Sequence, residues 1–159
     1  MNKNHGIHCE TEVPAPIESV WKAWTTEEGI TSFFAPACHI NLRVDGPYEI
    51  YFNPDAEPGM KGAEDIRLLA IEAPTMLSFT WSAPPHLPKV RKQRTHVLIR
   101  LRETAEKTTR VSLTNDGYGT GQEWKEAFKY FQRAWGEIVL PRLRYYFDHG
   151  PIDWENPPE

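Results

Sequence analysis

The feature that most constrains the fold is the stretch of residues 120–147, which reads TGQEWKEAFKYFQRAWGEIVLPRLRYYF. Apolar side chains recur in it at spacings of three and four residues, the period of an amphipathic α-helix. Thr120 and Glu123 have the spacing of a capping box, so we expect the helix to begin there. Pro141 has no N–H to donate to the carbonyl of Glu137, which predicts a kink and not an end. A helix with so broad an apolar face needs a large apolar partner.

The segments before this helix alternate between apolar and polar residues, which is typical of half-buried β-strands. Two short helices are predicted after the first strand, the second of them near residues 27–34. Successive hairpins with helices kept to the ends predict an α+β fold, in which a curved antiparallel sheet of about seven strands surrounds the long C-terminal helix. The predicted strands are residues 5–13, 38–44, 48–52, 66–71, 76–82, 94–102 and 109–115.

Two segments between the strands lack this alternation. Residues 53–63 contain several breakers and predict a mobile loop, and residues 83–92 predict a proline-rich, basic hairpin tip. We expect a single domain over residues 1–159, in which residues 152–159 form a tail that is ordered only if Ile152 and Trp154 dock. The basic side chains at the tip could receive an acidic partner, but we expect them to be solvated and to discourage edge pairing; they are Lys89, Arg91, Lys92 and Arg94.

Charge and composition exclude several classes of protein. A net charge of -4 argues against a general binder of nucleic acids or anionic membranes, because such proteins carry an excess of lysine and arginine. No apolar run approaches the ~18 residues that span a bilayer. The first ten residues contain no apolar segment of a signal peptide, so we expect a cytoplasmic protein. Cys9 and Cys38 are expected to be free thiols in that compartment.

Aromatic side chains supply the candidate binding site, because they make up 12% of the chain and six of them are tryptophan. Several share one face of the long helix, and others share the inward faces of predicted strands. Such rings either line a ligand pocket or fill a close-packed core, and the sequence leaves both alternatives open. We predict a pocket with its mouth beside the 53–63 loop and the second helix, lined by Trp24, Phe34, Phe52, Phe79, Trp81, Trp124, Phe128, Phe131 and Trp135.

No pattern predicts a metal, a cofactor or a catalytic residue. His5, His8 and Cys9 are close in sequence and could meet Cys38 and His39, but the duplicated ligand spacings of zinc sites are missing. The chain contains no G-x-S-x-G and no H-E-x-x-H motif. The alternation of the 94–102 strand turns His96 towards solvent. An enzyme is therefore the less expected alternative.

The motifs, taken in order, resemble the START-like (SRPBCC) superfamily, whose members have the helix-grip fold. Within it the chain is similar to the branch named for the activator of the heat-shock protein ninety ATPase, C-terminal domain. The matching segments are VPAPIESVWKAW (13–24), the pair Phe33-Phe34, DGPYEIYF (45–52), LSFTW (77–81), GTGQEW (119–124) and YFQRAWG (130–136). No single segment is specific, but together they cover nearly the whole chain. Gly46-Pro47 departs from the Gly-Gly of many members.

The resemblance implies a seven-stranded antiparallel sheet that grips the C-terminal helix, with a cavity between them. Members bind diverse apolar ligands, a few are enzymes, and no universal catalytic set exists to transfer. The expected function is therefore binding of a small apolar or amphipathic ligand in that cavity. The alternatives are a co-chaperone-like interaction module that acts on a chaperone in a stress response, and an enzyme of the cyclase or hydrolase type. A dimer is compatible with either binding role.

Overall fold

The computed structural model describes residues 6–158, so His5, which was placed in the first strand and considered as a metal ligand, lies outside the described residues. Strand β1 (Ile7–Val13) leads into two short helices, α1 (Ile17–Thr25) and α2 (Glu27–Phe33). Thr26 caps α2, because its hydroxyl oxygen accepts a hydrogen bond of 2.9 Å from the N–H of Gly29. The two helices after the first strand are confirmed.

Seven further strands follow: β2 (Ala37–Ile40), β3 (Tyr48–Tyr51), β4 (Gly62–Ala63), β5 (Leu68–Glu72), β6 (Met76–Trp81), β7 (Thr95–Ala105) and β8 (Thr108–Asp116). Together with β1 they form two antiparallel sheets, ordered β1-β8-β7-β6-β5 and β2-β3-β4. A bridge between Pro47 and Arg67 joins the sheets, and the N–H of Tyr48 donates to the carbonyl of Ile66 at 2.9 Å. The α+β helix-grip fold is confirmed. The predicted single sheet is divided in two, and β4 adds a short strand within the 53–63 loop.

The C-terminal helix is continuous from Gln122 to His149 and has three parts. Helix α4 (Gln122–Arg133) is followed by a π-helical turn (Ala134–Val139) and by α5 (Leu140–His149). The N–H of Leu140 reaches back five residues to the carbonyl of Trp135. Pro141 has no backbone N–H, so one hydrogen bond of the α-helix is missing. The wider turn just before it accommodates the missing hydrogen bond without ending the helix.

The predicted capping box at the start of this helix is wrong. Gly121 is the N-cap residue, with a φ of 112° that favours glycine, and no side chain in the described part of the chain caps the helix. The carboxylate of Glu123 instead accepts a hydrogen bond of 2.8 Å from the N–H of Val90. Val90 belongs to α3 (Pro88–Arg91), a short helix in the connection between β6 and β7. Glu123 therefore fixes that connection against α4.

The alternation in the 38–44 segment is misleading after Ile40, where β2 ends. Leu42 and Val44, which were expected to continue an inward face, are 42% and 63% exposed. The chain turns there through Asp45, whose φ of 65° is left-handed. The turn returns to the sheet because the N–H of Asp45 donates to the carbonyl of Leu68 at 2.8 Å.

The segment after the C-terminal helix docks on α2. The N–H of Ile152 donates to the carbonyl of Ser32 at 2.9 Å, and the indole N–H of Trp154 donates to the carbonyl of Thr31 at 2.7 Å. Ile152 is buried in the main core. The condition for an ordered tail is therefore met for this part of the chain. Among residues 6–158, no helix is both long and apolar enough to cross a membrane.

Candidate functional site

An apolar cavity of about 200 Å³ lies where the C-terminal helix passes the end of α2 and the ends of β3 and β6. Ala134, Ile138 and Val139 contribute the aliphatic part of its wall, and all three belong to the π-helical turn. Of the residues that the structure describes, Arg142 is the one charged residue in the lining. The rings of the lining are Phe34, Phe52, Trp81, Tyr130, Phe131 and Trp135.

A second hollow, called here the loop cavity, has a volume of about 160 Å³ and lies beside the 53–63 loop. Four of its lining residues also line the apolar cavity, so the two hollows adjoin. Ser82, Lys61 and Arg91 give this second hollow a more polar wall. The shared residues are Phe52, Trp81, Tyr130 and Phe131.

Five of the nine rings named from the sequence meet around the apolar cavity: Phe34, Phe52, Trp81, Phe131 and Trp135. Two more lie behind that wall. The ring centroid of Trp24 is 5.6 Å from that of Phe34, and the centroid of Phe79 is 5.8 Å from that of Trp81. Phe52 follows the end of β3 and is 47% exposed, so it stands at the opening.

Trp124 and Phe128 lie elsewhere and line neither hollow. Their ring centroids are 5.7 Å and 5.3 Å from that of Tyr118, in the linker that precedes the helix. Helical spacing alone placed all four rings of α4 and the π turn in one set. The structure divides them, because the linker covers the first part of the helix before the cavity begins.

Asn115 holds the cavity wall in place and was not recognised from the sequence. This side chain on β8 is fully buried, and its Nδ2 donates to the hydroxyl of Thr95 at 3.1 Å and to the carbonyl of His96 at 3.0 Å. Its Oδ1 accepts from the hydroxyl of Tyr118 at 2.6 Å and from the indole N–H of Trp135 at 3.1 Å. One amide thus makes all four of its hydrogen bonds and joins the sheet to the helix.

Two buried polar atoms at the hollows lack a partner among the described residues. They are the indole nitrogen of Trp81, which lines both hollows, and the hydroxyl of Ser82, which lines the loop cavity. Most buried polar groups in folded proteins are hydrogen-bonded, and exceptions often occur at sites that bind something. Both atoms are enclosed by the protein, so a bound molecule would reach them only if the wall moved.

The 53–63 loop is anchored by Arg91 and Glu64, so its description as mobile is too simple. The guanidinium of Arg91 donates to the carbonyls of Gly59 at 2.9 Å, Gly62 at 2.7 Å and Ala83. The carboxylate of Glu64 accepts from the N–H groups of Gly59 and Lys61 at 2.8 Å and 2.7 Å. Burial lowers the pKa of Arg91 from its ordinary value, while the Glu64 carboxylate acts in the opposite direction. The basic tip is therefore not wholly solvated, because Arg91 turns inward.

The cysteine thiols and the histidines offer no metal site within residues 6–158, where no group of three potential ligands comes together. Cys9 and Cys38 are separate, half-buried free thiols. Burial, together with the Glu27 carboxylate, raises the pKa of Cys38 to about 12, and burial raises the pKa of Cys9. Thiols with raised pKa values are weak nucleophiles at neutral pH, which gives neither a catalytic role.

Several solved structures have the same fold as this chain but share little of its sequence. DynU16, a protein of the dynemicin biosynthetic locus, is 20% identical with a TM-score of 0.71, and the match covers 94% of this chain but only 49% of DynU16. An HSP90 activator from Plasmodium falciparum is 15% identical with a TM-score of 0.67, over 92% of this chain and 96% of that one. The Aha1 dimer from Colwellia psychrerythraea is 17% identical with a TM-score of 0.68, over 91% and 97%.

At these identities the solved structures show the shared fold alone. No curated protein sequence matches the chain significantly. The family profile described as "Activator of Hsp90 ATPase homolog 1-like protein" matches residues 14–148, which include every element from α1 nearly to the end of α5. With its helix-grip fold and this match over most of its length, the chain belongs to the AHSA1 family.

Proposed function

We propose that the protein binds a small apolar or amphipathic ligand in the cavity between the sheet and the C-terminal helix. The observation that carries the proposal is the ring-lined apolar cavity of about 200 Å³. An engineered apolar cavity of ~150 Å³ is known to take up benzene, so this one has room for one aromatic ring with a short substituent. The adjoining loop cavity could take a longer molecule. The polar side chains in the wall of the loop cavity, Lys61 and Ser82 among them, support a ligand with a polar group.

Filling the cavity should weaken binding at least ~tenfold without unfolding the protein. Ala134 lines the cavity and belongs to a helical segment, and Ala134→Leu adds three carbon atoms there. We expect wild-type protein to bind the neutral aromatic probe 3-phenylpropanamide, and the affinity of Ala134→Leu to be at least ~tenfold lower, about 1.4 kcal/mol. Isothermal titration calorimetry measures the affinity, and a change in tryptophan fluorescence, to which Trp81 and Trp135 at the wall contribute, reports binding.

Gln132→Leu is the matched control, because it adds an apolar side chain to the exposed face of the same helix two residues earlier. It should bind like the wild type. Equal binding by wild type and Ala134→Leu would contradict the cavity as the site, and so would a wild type that binds no probe. Native mass spectrometry of freshly purified protein tests the same proposal independently, by looking for a small molecule that co-purifies.

The family also supports a second proposal, a co-chaperone-like interaction module, and one surface feature favours it. Leu42, Val44 and Leu69 are 42%, 63% and 45% exposed, and the bond from Asp45 to Leu68 brings their segments together. Exposed apolar patches often mark protein-protein contacts. If this patch contacts a chaperone of the Hsp90 class, the protein should stimulate the ATPase of that chaperone, and Val44→Asp should abolish the stimulation while leaving ligand binding unchanged. Stimulation that survives Val44→Asp would exclude the patch.

We propose a cytoplasmic protein that acts without a cofactor, and in which a dimer could form through the same exposed patch. A cyclase or hydrolase-type reaction has less support, because neither a carboxylate nor a histidine lines the apolar cavity among the described residues. General acid-base catalysis needs such a group within hydrogen-bond reach of the reacting atom.

A further inference from the structure

Arg142 is a charged residue in the wall of an otherwise apolar cavity. It lies on α5 and lines two spaces: the apolar cavity, and a groove between α5 and residues 155–158. It is half-buried, and burial lowers the pKa of its guanidinium from the ordinary value. Even so, an arginine stays charged at neutral pH. A cation therefore borders a space that is otherwise lined by rings and aliphatic side chains.

The other half-buried arginines both have partners. Arg91 donates to three backbone carbonyls and lies 3.8 Å from the carboxylate of Glu64. Arg110 contacts the carboxylates of Glu10 and Glu12 at 3.7 Å and 3.0 Å. Within residues 6–158, the guanidinium of Arg142 has no carboxylate within 4.0 Å and no hydrogen-bond acceptor. The N–H groups of this guanidinium are therefore available to an anion or to water.

The position of Arg142 is fixed by an aromatic ring and not by an anion. Its guanidinium carbon lies 5.6 Å from the centroid of the Trp154 ring, a cation-π contact. Trp154 is itself held by the hydrogen bond from its indole N–H to the carbonyl of Thr31. This contact uses the flat face of the guanidinium. The N–H groups lie at the edge of that plane, so they stay free to donate hydrogen bonds to another group.

The carboxylates that share a hollow with Arg142 line the groove and not the cavity. Glu137 and Glu155 line the groove, and the Glu137 carboxylate lies 3.8 Å from the guanidinium of Arg133. Among residues 6–158, no acidic residue lines the apolar cavity. An anion that enters from the cavity side therefore meets Arg142 without having to displace an existing ion pair.

We propose that Arg142 binds the acidic head group of the cavity ligand, so that the ligand is a small amphipathic carboxylate with an aromatic or short acyl body. This inference rests on the proposed function, which it narrows from apolar molecules in general to anionic ones. The guanidinium fork matches the two oxygens of a carboxylate, while the body of the ligand lies among Phe34, Phe131 and Trp135. Because Arg142 lies at the border of the cavity, a ligand whose carboxylate contacts it can keep its apolar body inside the cavity.

The test compares two ligands of the same shape, 3-phenylpropanoate and 3-phenylpropanamide, on four proteins. We expect the wild type to bind the carboxylate about tenfold more tightly than the amide, since a charge-assisted bidentate contact is stronger than a neutral one. Arg142→Gln should lose this preference and keep its affinity for the amide. Arg142→Lys should keep part of it. Arg144→Gln is the control: it removes the same charge two residues away, from an exposed side chain that pairs with Asp148, and should keep the full preference.

The outcomes separate the two proposals. If the wild type binds both ligands equally, or if Arg142→Gln keeps the preference of the wild type, Arg142 is not the anchor, although the cavity still binds a ligand. If the wild type binds neither ligand, the anchor and the binding function both fail. Circular dichroism and thermal unfolding establish that each variant is folded. If Arg142→Gln does not fold, the ligand pair on the wild type and on Arg142→Lys still decides: equal binding of both ligands by the wild type overturns the proposal.

Discussion

Replacing Gly29 by alanine should destabilise the protein by about 3 kcal/mol or more, an effect at the upper end for an added methyl group. A Cβ at this position in α2 would lie 2.3 Å from the carbonyl oxygen of Lys22 and 2.6 Å from the Cα of Ala23. Both are backbone atoms of α1, so no side chain can turn away to make room. The helices would have to separate, and the wall that α2 contributes to the cavity through Phe34 would move with them.

Urea denaturation measures the free energy of unfolding, with Gly136→Ala as the control. Gly136 also lies in a helical segment, but a Cβ there would meet only the sulfur of Cys9, at 3.4 Å. Alanine is preferred over glycine in a helix by ~1 kcal/mol, so this variant should be unchanged or slightly more stable. A Gly29→Ala variant as stable as the wild type would mean that α1 and α2 do not pack as closely as the structure shows.

The second large effect is expected from Asn115→Leu, at about 3–5 kcal/mol, because a buried donor or acceptor left without a partner costs ~1–3 kcal/mol. Leucine has a similar volume but makes no hydrogen bond. The variant would leave the indole N–H of Trp135 and the hydroxyl of Tyr118 buried and unpaired. Since Trp135 lines the apolar cavity, affinity for 3-phenylpropanamide should fall together with stability.

Thr114→Ala is the neighbouring control, because Thr114 faces the other side of β8, where its hydroxyl meets His8 at 3.2 Å near solvent. Surface changes of this kind usually stay within ~0.5 kcal/mol. Tyr118→Phe removes a single hydrogen bond of the network and should lie between the two, at ~1–2 kcal/mol. If Asn115→Leu unfolds at the same urea concentration as Thr114→Ala, the network does not hold the helix to the sheet.

Most of the fold could be predicted from local patterns in the sequence. The alternation of Leu77, Phe79 and Trp81, and of Val97 with Ile99, placed these side chains inward, and all of them are buried in the core. Hydrophobic periodicity is a property of neighbouring residues, so it is visible in the sequence. It failed at Leu42 and Val44, where an alternating pattern continues after the strand has ended, because a turn with a left-handed residue takes the chain out of the sheet.

Contacts between distant residues were not visible in the sequence. Thr120 and Glu123 have the spacing of a capping box, but Glu123 is used by Val90, 33 residues earlier in the chain. Asn115 and Arg142 carry no local signal either. Asn115 is a polar residue within a strand, and Arg142 is a basic residue on a helix that contains other basic residues. Each acquires its role from what surrounds it: the buried network in one case, and the border of an apolar cavity in the other.

The π-helical turn makes the two halves of the C-terminal helix differ in phase. Each residue of an α-helix advances roughly 100° about the axis, so residues five apart point about 140° away from each other. Trp135 and Leu140 are five apart, yet both are buried. The wide turn between them acts as a one-residue insertion and keeps Leu143 in the core, where α5 packs on β1 and α2. An alignment that matches this helix without a gap to a regular α-helix therefore pairs residues from different faces after Pro141.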